Sequence, residues 1–282
     1  MIPTPIVIGD NAIRVYLSFS DESGVGRIGF VEVEANNPKK ILEVSKDPVL
    51  DIGIPGTFDD NGVLPSCLIR HENRLFLYYI GFQLGANVRY FIFSGLAESY
   101  DGGYSFQRVY QVPILDRRDS DLFFRTAPFV MIENGLYRMW YIGGSDWTME
   151  EGKMLPVYRI KYLESTRHDS WPNRGEACWD FKSEEEHGFG RPFVIEREGY
   201  YRMLYSIRMR SKGYRLGYAE SDDGVAWKRK DEQVGIDVSE RGWDSEMMCF
   251  SSVLEVGDKT YMFYNGNNFG ESGFGYAVLR DS

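Results

Sequence analysis

A four-part pattern recurs along this chain: a Pro-containing apolar run, a Tyr-rich run, a third run ending in an acidic turn, and a short final run. The clearest copy is Arg191-Pro192-Phe193-Val194-Ile195, Gly199-Tyr200-Tyr201-Arg202-Met203-Leu204-Tyr205, Tyr214-Arg215-Leu216-Gly217-Tyr218-Ala219-Glu220-Ser221-Asp222-Asp223-Gly224 and Trp227-Lys228-Arg229. Other copies open at Leu64-Pro65, at Ala127-Pro128 and at Phe250, and a weaker one opens at Thr4-Pro5. Each spans roughly 40 to 60 residues of β-branched and aromatic runs bounded by Gly, Asp and Asn, the signature of short strands and turns.

A lone four-stranded unit buries neither face, whereas five packed radially cover one another and leave only short edges. The expectation is an all-β, five-bladed β-propeller forming one domain over residues 1–282, with blades near 1–50, 58–115, 121–175, 186–232 and 243–282. The last copy lacks its outermost run, so that blade is three-stranded or completed by another part of the chain. Aromatic residues at 15% and 30 glycines suit such pleated, turn-rich architecture. The strand-opening prolines need no functional account, since a first strand residue need not donate to the ladder. Asp222, Asp223 and Gly224 are turn chemistry.

A net charge of -10 argues against a nucleic-acid partner. No apolar stretch reaches the ~18 residues of a membrane span. The three cysteines, Cys67, Cys178 and Cys249, have no metal-ligand spacing, and the start lacks a leader-like pattern, which together predict a reduced, cytoplasmic setting. Serine-nucleophile, phosphate-loop, zinc and dinucleotide motifs are absent, so no cofactor is expected and the chemistry narrows to carboxylates or plain binding.

In a propeller the loops entering the innermost strands converge on one mouth. Those loops are polar here. Gly56-Thr57-Phe58-Asp59-Asp60-Asn61 matches Gly242-Trp243-Asp244-Ser245-Glu246 in register, aligning Asp59 with Asp244. Asp60 and Glu246 break that match, and a polar residue that breaks a repeat near a mouth is a candidate acid or base. Asp59 and Asp244 either support that pair or hold their own loops. Arg125 and Arg191 suit an anionic sugar group or the loop carboxylates. His187 suits proton transfer or hydrogen bonding, Asn61 hydrogen bonding, and Trp147 stacking on a sugar ring, with burial between blades as its alternative. Asp59, Asp60 and Asn61 are also an oxygen cluster of the kind calcium takes, which leaves a structural calcium open.

The Pro-opened first strands, Tyr200-Tyr201-Arg202-Met203-Leu204-Tyr205-Ser206 and Gly217-Tyr218-Ala219-Glu220-Ser221-Asp222-Asp223-Gly224-Val225-Ala226-Trp227 resemble the arabinanase, levansucrase and invertase superfamily. The resemblance covers nearly the whole chain and implies a five-bladed propeller acting on glycosides. Its arabinanase-type members place an Asp beside the first strand-opening Pro and a Glu shortly before a later one. Here Thr4 precedes Pro5, Leu64 precedes Pro65, and Gly190-Arg191 precede Pro192; the invertase-type Asn-Asp-Pro-Asn signature is missing too. The expected function is therefore a glycoside-active enzyme with a relocated acid set, Asp60 and Glu246 with Asp59 and Asp244, on a sugar or oligosaccharide that Arg125, Arg191 and His187 position. The rival is a propeller that binds a carbohydrate without cleaving it.

Overall fold

The computed structural model describes residues 1–9, 11–71 and 73–279. Nineteen strands follow the repeat. Blade 1 is β1 (Thr4–Ile8), β2 (Ala12–Ser20), β3 (Gly26–Glu34) and β4 (Asn37–Val44). Blade 2 is β5 (Val63–His71), β6 (Arg74–Leu84), β7 (Tyr90–Ser99) and the two-residue β8 (Gln107–Arg108). Blade 3 is β9 (Phe124–Glu133), β10 (Leu136–Glu150), β11 (Lys153–Ser165) and β12 (Glu176–Ala177); blade 4 is β13 (Glu186–Arg197), β14 (Tyr200–Met209), β15 (Arg215–Ser221) and β16 (Lys228–Arg229). Blade 5 holds β17 (Cys249–Val256), β18 (Lys259–Asn265) and β19 (Phe274–Val278), so among the described residues it lacks a fourth strand. Within each blade successive strands pair antiparallel.

Strand alternation builds the cores between blades, because side chains at i and i+2 share a face. On β2, Ile13, Val15 and Leu17 pack against Tyr261 and Phe263 of blade 5, while Tyr16 faces Leu77 and Phe93 of blade 2. Tyr78 meets Met139 between blades 2 and 3, Trp140 meets Met203 between blades 3 and 4, and Leu216 meets Met248 and Tyr264 between blades 4 and 5. The innermost strands contact one another in turn, and β17 contacts β1, which closes the ring as a five-bladed propeller. Each buried aliphatic or aromatic side chain contributes about 1.5–3 kcal/mol.

Pro5 stands near the opening of β1, while Pro65, Pro128 and Pro192 stand inside their innermost strands. Ala127 and Pro128 together oppose Tyr141, and Arg191 and Pro192 oppose Tyr205; Phe250 and Ser251 oppose Tyr264, and a like shift follows Pro65. These are β-bulges, where an unpaired proline nitrogen costs nothing and the extra residue re-aims side chains. Ala127 and Phe250 take positive φ of 50° and 57° there.

Candidate functional site

At the end of the axis where the innermost strands begin lies a cavity of about 340 Å³, the size of a small-ligand site. All five blades line it. Ile2, Leu64, Ile80, Ile92, Phe124, Ile142 and Phe250 make it apolar, and Arg89, Arg191 and Arg208 bring cations; no Asp or Glu is among the described lining residues. The mouth lies where the strand-entry loops were expected to converge, but its charge is the reverse of an acid pair's.

The four expected acids lie outside the cavity lining. Asp59 is buried and held by the Tyr79 phenol at 3.0 Å, Arg108 at 2.8 Å and the Thr57 hydroxyl at 3.0 Å. Asp244 is buried against the Tyr264 phenol at 2.9 Å. Both bonds join a loop to the second strand of its own blade, the structural alternative the repeat allowed. Asp60 accepts from the Gly56 amide at 2.8 Å, and Asn61 is half-buried, its backbone N–H donating to the Phe82 carbonyl. Glu246 is exposed. Asp59 is thus engaged on both oxygens, and Asp60 caps its loop through one. No three His, Cys, Asp or Glu side chains among the described residues gather to hold a metal.

Arg125 does not reach the mouth. Its neighbours Phe124 and Thr126 face the cavity, and alternation turns Arg125 away, onto the carbonyls of Asp116 and Pro172 and over the Tyr141 ring. Arg191 does line the mouth but is only 2% exposed, and its donors already meet Ser66 O, Phe250 O, Ser251 O, Ser252 Oγ and Thr4 Oγ1. It stitches the innermost strands of blades 1, 2, 4 and 5 through neutral acceptors. Burial lowers its pKa to about 10, which leaves it charged at neutral pH with no carboxylate beside it among the described residues. Arg191 therefore supplies positive field rather than a free fork. Trp147 and His187 lie together in a separate groove between blades 3 and 4.

Arg208, at the far end of β14, is the mouth residue that the sequence pattern did not single out. Its Nη1 donates to the Tyr158 phenol at 3.0 Å, and its guanidinium stands 5.6 Å from the centre of the Tyr214 ring. The Tyr158 and Tyr214 hydroxyls lie 3.0 Å apart. Burial pushes the Tyr90 and Tyr214 phenols up, so both stay protonated at neutral pH. Arg208 is half-buried, and no carboxylate pairs with it among the described residues. A signal was present: the position three residues after the inner Tyr is Phe82, Gly144 and Asn267 in blades 2, 3 and 5, and only blade 4 carries a cation there.

No helix of the described residues is long and apolar enough to cross a membrane. No family model matches the chain. Among solved structures it is similar to a glycoside hydrolase, with a TM-score of 0.75 and 19% identity over 99% of this chain and 87% of that one. It is also similar to a thermostable family-43 glycoside hydrolase, with a TM-score of 0.74 and 16% identity over 99% and 89% of the two chains. At those identities the likeness establishes the glycosidase-like propeller fold. In sequence the chain is 32% identical to the uncharacterized protein Rv1502 of Mycobacterium tuberculosis (strain ATCC 25618 / H37Rv) over 280 residues, 99% of this chain and 92% of that protein. It therefore belongs to the same protein family as Rv1502.

Proposed function

We propose that the mouth binds an acidic sugar, a uronate or a sugar phosphate, with Arg208 receiving the acid group. The observation that carries this is a half-buried guanidinium whose partners are phenols, in a cavity that, among the described residues, is lined by three arginines and no carboxylate. A guanidinium offers five donors in a fork matched to carboxylate and phosphate oxygens, and desolvation strengthens such pairs. The apolar and aromatic walls suit the faces of a sugar ring. This is the carbohydrate-binding alternative, with the anionic ligand the arginines favour.

The test is calorimetric titration with glucuronate, glucose 6-phosphate and glucose, on wild type and Arg208→Gln. One of the acidic sugars binds, glucose does not, and the variant loses at least tenfold in affinity while its unfolding temperature is kept. Equal binding of glucose, or an unchanged affinity in Arg208→Gln, overturns the proposal.

One observation favours a second reading, glycoside cleavage by Asp60 and Glu246. Both stand on loops that enter innermost strands at the mouth end, and the Glu246 carboxylate is exposed with no partner among the described residues. Under that reading Glu246→Gln abolishes turnover of an aryl glycoside while sugar affinity survives. Retained turnover removes Glu246 from the chemistry.

A further inference from the structure

The groove that holds Trp147 and His187 adjoins the mouth. The β10–β11 hairpin stays paired out to Glu150 and Lys153, well beyond Ile142 at the cavity wall. One side of this hairpin borders the mouth: Trp147 packs on Tyr90 and Phe124, both cavity residues, with ring centres 5.1 and 5.0 Å apart. Its other side, with the segment from Phe181 to His187, forms an open groove of about 970 Å³. Tyr158 of the mouth pairs with Gly188, the residue after His187, and Arg208 is close enough to His187 to act on its charge.

His187 is the most telling group in the groove. The ring is 2% exposed, and Nδ1 lies 2.8 Å from the Pro156 carbonyl. A carbonyl only accepts, so Nδ1 carries the proton and Nε2 is left as a bare acceptor. No donor among the described residues meets it. The Trp147 indole N–H is buried on the mouth side of the hairpin, so His187 is the groove's open polar group. A sugar hydroxyl donates, and so meets that acceptor.

Charge narrows the occupant. Glu186 is held by Arg229, Glu150 by Arg210 and Glu185 by Ser211, while Asp146 and Glu184 keep unpaired carboxylates among the described residues. The groove is thus acidic where the mouth is basic. A second anionic unit is repelled there, and a neutral one is not.

We infer that the groove is a second subsite that takes the neutral units of an oligosaccharide whose single acidic residue occupies the mouth. This rests on the acidic-sugar reading of the mouth. Phe181 supplies apolar surface, and His187 Nε2 accepts from a hydroxyl.

The experiment titrates glucuronate, xylotriose carrying one terminal glucuronosyl group, and trigalacturonate into wild type, His187→Leu and Asp146→Trp. Asp146 is exposed, so its replacement fills the groove without a core position being disturbed. Wild type binds the glucuronosyl oligosaccharide at least tenfold more tightly than glucuronate, and trigalacturonate shows no such gain. Both variants bring the oligosaccharide back to the affinity of glucuronate and leave glucuronate itself unchanged. Equal affinities in wild type, or a gain that survives Asp146→Trp, overturn the inference and leave the mouth reading standing. Absence of glucuronate binding overturns the mouth reading and the inference with it.

Discussion

The Tyr264 phenol donates to the Asp244 carboxylate at 2.9 Å across 20 residues of chain, and the same spacing separates Tyr79 from Asp59 and Tyr141 from Asp121. In each of these three blades the Tyr sits beside the bulge of the innermost strand, and the Asp comes from the loop that enters that strand. The bond ties entry loop, bulge and second strand into one unit. Blade 4 meets the same need differently: Tyr205 donates to Asp231, which also takes Arg229 and Lys182.

Asp59→Ala is expected to destabilise the protein by about 3 kcal/mol, because it leaves the mostly buried Arg108 without its carboxylate. Tyr79→Phe removes one hydrogen bond of the same cluster and costs about 1 kcal/mol. Urea unfolding of both variants checks the order. Equal, small losses would mean that Asp59 does not hold its blade.

Arg191 sets a second expectation. Its guanidinium joins four blades through carbonyl and hydroxyl oxygens that lose their donors in Arg191→Met, and each buried acceptor left bare costs about 1–3 kcal/mol. The variant is expected to unfold about 9 °C below wild type, a shift that follows from about 3 kcal/mol at roughly 3 °C per kcal/mol for a chain of this size. Calorimetry reads it directly, and a shift of a degree or two would show that the stitch is dispensable.

The propeller was legible because each blade repeats the same alternation and turn chemistry. The end of the axis at which the cavity lies was legible too, since strand-entry loops converge there. Its occupants were not. Which residue of an innermost strand faces the axis depends on bulges at Ala127 and Phe250, positions with positive φ that carry no glycine to mark them. Arg125 and Arg191 both stand near a strand entrance, yet alternation turns one away while the bulge brings the other in. Arg208 lay in a run that passed for ordinary scaffold.

His187 makes stability depend on pH. Burial lowers its pKa below the ordinary 6.5; the nearby Arg208 and Arg210 lower it further, while the Pro156 carbonyl and Glu150 oppose them. The unfolded chain therefore binds this proton more readily than the folded one. The stability from a neutral His187 is full above about pH 6.5 and is lost as pH falls towards the lowered folded value. Denaturant midpoints of wild type and His187→Gln should converge as pH is taken from 8 to 5. A constant gap would mean that the folded His187 titrates as a free one does.

Position 4 tests whether the charge of the axis matters to the ligand. Thr4 precedes the first strand-opening Pro, is buried, and its Oγ1 lies 3.2 Å from Arg191 Nη2. Thr4→Asp places a carboxylate against a guanidinium that otherwise meets only neutral acceptors, so the variant folds with an ion pair and the mouth loses one positive charge. A bound acid group then faces a like charge in a desolvated site, a juxtaposition that costs several kcal/mol at full contact. Across the longer distance from Thr4 to the mouth, affinity for an acidic sugar is expected to fall at least about tenfold, the equivalent of 1.4 kcal/mol. Titration of wild type and Thr4→Asp with glucuronate decides it. An unchanged affinity would confine recognition to Arg208 and its tyrosines, and reduce Arg191 to its role in holding the blades.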